Sequence, residues 1–459
     1  MKNFEKWFKN IITQANIIDL MYPIEGTVIW MPYGFKIRKH TINLIRDLLD
    51  KTHEEVIFPT LVPKNQLLKE VVFVENYENE VFWVTKGGKN DLNEPLALRP
   101  TSETIIYPMF ALWIRSHVDL PIKYYQIVNA FRYETEPIMN FFRLHEISTF
   151  KEAHTVHATK KESDMQVREF IKIYQNFFDK LGIPYFVSKR PIWDKFPSAD
   201  CSIAFDAFLP NGKTLQIASV HNLAQSLAKL FDVAFEDVDG KQKYAYQTCA
   251  GISERVIGSI IAIHGDKDGL RLPPIVAPYQ LMIIPVIDKN KDDVLNKAVE
   301  IKNQLESLKI RVKIDDRNID SVKKFDEWTV KGVPIMLKID ATGLGDNIAL
   351  LTRRDDYQNM EVNLDESLGD AICDLLNKIG ENLSKLAWDF QRKHIKFTKD
   401  IDEIPELIEG GNVVRFSWCG EESIAKGIVD DMGYDVLDMQ KDYADDDIIK
   451  YSILIAQNH

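Results

Sequence analysis

Tyr125-Gln126-Ile127-Val128-Asn129-Ala130-Phe131-Arg132-Tyr133-Glu134 decides the reading of this chain. Two shorter stretches stand around it in order, Arg99-Pro100-Thr101-Ser102-Glu103 before and Gly251-Ile252-Ser253-Glu254-Arg255 after. The apolar-flanked run predicts a strand from Tyr125 to Tyr133. Arg132 and Glu134 are two apart, so on a strand both side chains face one side of the sheet. That face offers a guanidinium fork suited to phosphate beside a carboxylate that accepts from an amino group. Thr135 to Phe142 reads as a loop, after which Arg143 returns on a partner strand and adds a second cation.

At these residues the chain resembles the class II aminoacyl-tRNA synthetases, and among them the archaeal and eukaryotic type of prolyl-tRNA synthetase. The resemblance runs over nearly all of the chain. It includes Leu98-Arg99-Pro100-Thr101-Ser102-Glu103-Thr104, Lys151-Glu152-Ala153-His154-Thr155, Trp193-Asp194-Lys195-Phe196-Pro197, Ile263-His264-Gly265-Asp266 and Leu272-Pro273-Pro274-Ile275-Val276-Ala277-Pro278. A single Phe-Arg-x-Glu is common on strands; the ordered set is what carries the likeness.

The resemblance implies a pocket for ATP, with Mg²⁺, and for L-proline, and a tRNA(Pro) that receives the activated amino acid. It implies that Arg132 and Arg255 are the catalytic cations, and that Arg132, Glu134, Arg143, Leu144, Gln216, Ser219, Ser253 and Arg255 hold ATP. Thr101, Glu103, Arg132, Phe150, Glu152, His154 and His221 are implied to form the proline pocket. Without the motif, His154 and His157 would read as an ordinary satisfied pair. Activation joins a carboxylate to the α-phosphate and gathers negative charge at one phosphorus, so positioned cations are what the reaction needs.

The fold class expected is α+β. Residues 1–275 form the catalytic domain, an antiparallel sheet flanked by helices over Ile37 to Asp50, Thr104 to Ser116, Lys161 to Leu181 and Ser253 to His264. Pro273, Pro274 and Pro278 punctuate a boundary. Residues 278–364 alternate strand and helix as an α/β module, implied by the resemblance to bind the anticodon, with Arg317 and Glu327 as candidates. Residues 365–459 form a small C-terminal domain that opens on a long helix from Ala371 to Phe397. The stretch from Leu48 to Pro59 is similar to the family's first motif, which implies a homodimer.

The 459 residues carry a formal net charge of −12, which excludes indiscriminate nucleic-acid binding. Local patches remain for tRNA, at Lys36-Ile37-Arg38-Lys39, Arg353-Arg354 and Arg392-Lys393-His394. No apolar run reaches the ~18 to 20 residues of a membrane span and Met1-Lys2-Asn3-Phe4-Glu5-Lys6 lacks a signal peptide's apolar stretch, so a cytoplasmic location is expected. Cys201, Cys249, Cys373 and Cys419 are scattered, and no structural zinc is expected. Lys86-Gly87-Gly88-Lys89 reads as a hairpin turn, and Gly343-Leu344-Gly345 as a turn rather than a dinucleotide fingerprint.

The chain departs from the family's pattern at several places. His145 stands for a usual arginine, Ala250 for an aromatic, and Asp340-Ala341-Thr342-Gly343 for a Gly-Pro-x-Asp turn, while the loop 136–142 lacks an expected cation. Between Arg132 and Arg255 the chain is too short for the large editing insertion of bacterial relatives. Two other readings use the same residues: a paralogue that binds tRNA without charging it, and one that passes an adenylate to a different carrier.

Overall fold

The computed structural model describes residues 4–70, 77–134, 138–286, 291–418, 422–443 and 449–457. Its largest element is a seven-stranded sheet. In chain order the strands are β1 (Glu54–Glu55), then, after a hairpin of β2 (Trp83–Gly87) and β3 (Asn90–Leu98), β4 (Ile122–Phe131), β5 (Glu146–His157), β6 (Phe186–Lys189), β7 (Cys201–Phe208), β8 (Thr214–Ala224) and β9 (Tyr246–Ile252). The spatial order is β1-β4-β5-β9-β8-β7-β6, antiparallel throughout except for the β1/β4 edge. The hairpin turns at Gly88, whose φ of 64° favours glycine, as the Gly-Gly pair predicts.

One face of this sheet is packed by helices: α1 (Phe4–Gln14), α2 (Pro32–Leu49), α4 (Lys160–Leu181) and α5 (Arg255–His264), with α3 (Glu103–Trp113) lying in a separate apolar cluster. The sequence sets the limits of α4 sharply. Thr159 and Glu162 form a reciprocal capping box at its start, and Gly182, at φ 66°, ends it in the left-handed region. Phe170, Tyr174, Phe177, Phe178 and Leu181 fall on one stripe, all fully buried. Alternation along β5 follows from the same layering: Lys151 and Ala153 face the helices, whereas Glu152 and His154 face the open side.

A second sheet, ordered β11-β10-β12-β13-β14, is built from β10 (Leu281–Pro285), β11 (Val312–Ile314), β12 (Ile335–Ile339), β13 (Ile348–Arg353) and β14 (Asn359–Asn363), with α6 (Lys291–Ser307) and α7 (Ser321–Val330). A third contains β15 (Ile395–Thr398), β16 (Val413–Trp418), β17 (Asp435–Tyr443) and β18 (Ile449–Ala456). The long helix between them, α8, spans Leu368–Lys393. Its apolar stripe of Leu368, Ile372, Leu375, Leu376, Ile379 and Leu383 belongs to the core of the second sheet, not to the C-terminal unit in which the sequence reading placed it. Phe397, expected at the helix end, lies on β15, which pairs parallel with β16.

Four local expectations change. β4 ends at Phe131, so Arg132 and Glu134 lie just beyond it: a bulge near Asn129 shifts the register, and the chain turns off to bond Tyr133 N to Glu80 O at 2.9 Å. Arg143 sits in an isolated bridge with Met139, three residues before its strand begins. Ala341–Gly345 is a short helix rather than a turn, because the Asp340 carboxylate accepts from Gly343 N at 2.9 Å. Arg353 and Arg354 are no surface patch: both are buried, paired with Asp355 at 2.6 Å and Asp266 at 2.7 Å. Glu136, Pro137, Cys419 and His459 lie outside the described residues.

The Arg354–Asp266 pair joins the chain after β13 of the second unit to the chain after α5 of the first. Arg354 Nη1 and Nη2 donate to the two oxygens of Asp266 at 2.8 and 2.7 Å, immediately beyond the C-terminal end of α5.

Candidate active site

A cavity of about 510 Å³ opens on the face of the seven-stranded sheet opposite the layer of α1, α2 and α4, beside α3. All the residues that the sequence reading assigned to ATP and proline line it: Thr101, Glu103, Arg132, Glu134, Arg143, Leu144, Phe150, Glu152, His154, Gln216, Ser219, His221, Ser253 and Arg255. Arg317 and Glu327 lie elsewhere, on the second unit, where Arg317 pairs with Glu327 and Asp315, each at 2.7 Å.

One end of the cavity is cationic. The Arg132 guanidinium donates to Pro100 O at 3.2 Å and lies over the Phe150 ring at 5.6 Å. Arg255, the first residue of α5, donates from Nε to Phe142 O at 2.8 Å and from Nη1 to Gln216 O at 3.3 Å. Burial, then the neighbouring Arg132, lower its pKa to about 10, with Glu134 acting the other way. Arg143 follows Phe141 and Phe142, which pack against Gly258 so closely that a Cβ there would meet Phe142 Cε1 at 2.6 Å. Gly258 is therefore what lets the loop lie on α5 and carry Arg143 to the pocket.

The neighbouring Glu254 is a buried structural carboxyl. It accepts from Ser148 N and Thr149 N at 3.0 and 3.1 Å, and burial pushes its pKa up to about 7. Arg38, part of an expected basic patch, turns inward to the same segment, donating to Thr149 Oγ1 at 2.6 Å and Ser148 O at 2.8 Å.

The other end is lined by carboxylates and imidazoles. Thr101 Oγ1 donates to Glu103, and Ser102 Oγ donates to Glu152. Gln126 Nε2 donates to Glu152 Oε1 at 2.8 Å, and His154 Nε2 lies 3.3 Å from Glu152 Oε2 while its Nδ1 meets Tyr107 OH at 3.0 Å. Burial alone would raise the Glu152 carboxyl; the hydrogen bonds from His154, Ser102 and Gln126 outweigh it and hold the group below the usual carboxylate range. His221, by contrast, is pushed down to about 4 by burial, so its imidazole is neutral; its Nδ1 is 2.7 Å from Ser202 Oγ and its ring lies 5.1 Å from that of Phe196. Donor atoms of Glu103, Glu152 and His154 lie within 4.8 Å of one another. The set can hold a cationic amine between hydrogen-bonded carboxylates. Ala250, in the place of an aromatic, is a buried part of the lining.

Three residues were not singled out from the sequence: Arg190, which lines the cavity, and Arg99 and Gln126, buried behind it. Arg99, in the stretch Arg99-Pro100-Thr101-Ser102-Glu103, is a scaffold residue that donates to Phe58 O, Pro59 O and Asn129 O. Gln126 is a polar residue interrupting an apolar strand, a signal that could have marked it as the buried support of Glu152. Arg190, a lone arginine after β6, carries no such spacing.

Residues 82–264 match the tRNA synthetase class II core domain (G, H, P, S and T), and residues 280–370 match the anticodon binding domain. Over the whole of both chains this sequence is 52% identical to the Proline--tRNA ligase of Methanobrevibacter smithii. It is 45% identical to that of Methanothermobacter thermautotrophicus, over 96% of this chain and 92% of the relative. Among solved structures, the fold is similar to Giardia lamblia prolyl-tRNA synthetase in complex with prolyl-adenylate, with a TM-score of 0.95 and 32% identity over 100% of this chain and 98% of the other. It is also similar to the Cryptosporidium parvum prolyl-tRNA synthetase complexed with halofuginone and AMPPNP, with a TM-score of 0.93 and 31% identity over 99% and 95%. With a full-length relative at this identity, an ordered set of motifs and a cavity that unites them, the chain belongs to the proline--tRNA ligases, a family of class II aminoacyl-tRNA synthetases.

Proposed function

We propose that this chain activates L-proline with ATP and esterifies the product to the 3′ end of tRNA(Pro). The observation that carries the reading is the cavity with two chemically opposite ends, the guanidinium groups of Arg132, Arg143 and Arg255 at one and hydrogen-bonded carboxylates at the other. Proline's ammonium sits between Glu103 and Glu152, with His154, His221 and Phe150 enclosing the ring. Its carboxylate then lies toward Arg132. A carboxylate oxygen attacks the α-phosphorus, pyrophosphate leaves, and the mixed anhydride remains. A ribose hydroxyl of the tRNA next attacks the carbonyl carbon and releases AMP.

In this reading Arg132 bridges the α-phosphate and the carboxylate, and Arg255 and Arg143 neutralise the remaining phosphates of magnesium-bound ATP. Glu134, Leu144, Gln216, Ser219 and Ser253 hold the nucleotide. Arg317 and Glu327 face the anticodon, and the enzyme works as a cytoplasmic homodimer. Exposed Ile57, next to Phe58 in the chain, and exposed Trp113, whose ring lies 5.9 Å from that of Phe58, support the homodimer.

Amino-acid-dependent ATP–pyrophosphate exchange against all twenty amino acids tests the activation step apart from every tRNA contact. Selective exchange with proline is expected, and Arg132→Ala should lower it by about a hundredfold or more with the fold intact. No exchange with any amino acid would favour the tRNA-binding paralogue, and residual wild-type exchange in the variant would remove Arg132 from its role.

A further inference from the structure

We infer that Arg190 is a positioning residue for the nucleotide end of the cavity, acting through Gln216 and held from behind by the C-terminal sheet. Arg190 follows β6 directly and is only 7% exposed, yet it lines the cavity. Its Nη2 donates to Asp206 Oδ1 at 2.6 Å and to Gln216 Oε1 at 3.1 Å. Its Nη1 donates to Ser188 Oγ at 3.2 Å and to Leu437 O at 3.3 Å, and its Nε lies 3.3 Å from Asp194 Oδ2.

A guanidinium can only donate, so the Gln216 atom facing Arg190 must be the carbonyl oxygen. The amide NH₂ of Gln216 is thereby left for a ligand, with no freedom to flip. The same residue holds Arg255 through its backbone carbonyl, so Gln216 is gripped on one side by Arg190 and on the other grips the arginine of α5. Asp206, 1% exposed, fixes Arg190 in turn by a buried ion pair.

The C-terminal segment, beyond the residues that match either family domain, completes this support. Besides the Leu437 carbonyl, Asp438 Oδ1 accepts from Lys189 N at 3.1 Å, and Gln457 O accepts from Thr214 N at 2.9 Å. β6 and β8, two of the three strands that carry the network, are thus each clasped at one end, by β17 and by the chain after β18.

The inference rests on the reading of the cavity as an ATP and proline site. The test is pyrophosphate exchange by the full chain, with ATP and proline varied separately. Arg190→Lys keeps the charge opposite Asp206 but loses the fork; the KM for ATP should rise about tenfold, the equivalent of one charged hydrogen bond, with the KM for proline unchanged. Gln216→Met should do the same, and the double variant should be no worse than Gln216→Met. An unchanged ATP KM in folded Arg190→Lys, an equal rise for both substrates, or effects that multiply in the double variant would overturn the inference. If Arg190→Lys fails to fold, Asp206→Asn, which takes away the charge that fixes Arg190, decides instead: an ATP-selective rise in KM supports the inference, and an unchanged ATP KM overturns it. Absence of proline-dependent exchange in the wild type would instead sink the function on which all of this rests.

Discussion

Lys151 is an amine buried against the helical layer directly behind the site. It donates to Tyr174 OH at 2.9 Å and Ala250 O at 3.2 Å, lies over the rings of Phe170 and Tyr174, and titrates at about 7 because burial disfavours its charge. Unfolding restores the ordinary value of 10.5, so between these limits the unfolded chain binds a proton that the folded chain lacks. Its contribution to stability therefore increases as pH rises from about 7 toward 10.5. Urea unfolding of wild type and Lys151→Met at pH values across that window should show the difference moving in favour of wild type; parallel curves would refute the assignment. At this scale the sequence was most readable where a motif supplied both residue type and spacing, as in Thr101 with Glu103 or Glu152 with His154. It was least readable at Lys151 and Arg190, whose roles come from partners distant in the chain.

Among the elements, α5 shows why sequence patterns stop short of the site. Its apolar stripe predicts the helix, but nothing in the pattern says that Gly258 must lack a side chain. An alanine there gains helix propensity of about 1 kcal/mol. It must also force a methyl into Phe141 and Phe142, and overpacking of this kind costs about 1 to 3 kcal/mol. Gly258→Ala should therefore lower the melting temperature and raise the KM for ATP, since the displaced loop carries Arg143; a variant stabilised by the extra methyl would contradict the packing argument. The strand at Tyr125 was legible from its apolar run, but its end was not, because the bulge that releases Arg132 and Glu134 depends on pairing with β5. The reach of α8 was likewise misjudged at its end, where Phe397 continues an apolar pattern that a parallel strand uses instead.

For the whole molecule, the order of units followed from the prolines at 273, 274 and 278 and from the alternation beyond them, whereas the contacts between units did not. Buried Arg354 looked like half of a basic patch until its partner, Asp266, came from the loop after α5. The homodimer belongs to this scale as well. Ile57 is 82% exposed beside Phe58, so Ile57→Asp should leave the fold unchanged while turning a dimer into a monomer in sedimentation velocity; a wild type that sediments as a monomer would end the proposal. The two-pronged Arg354–Asp266 pair has a mechanical meaning. A ten-residue helix is a stiff bar about 15 Å long, and this one has Arg255 at one tip and the ion pair just past the other. It is a single rigid strut between the second unit and the pocket: the residue that reads the nucleotide and the residue that fastens the next unit are held at a fixed spacing by the same ten residues.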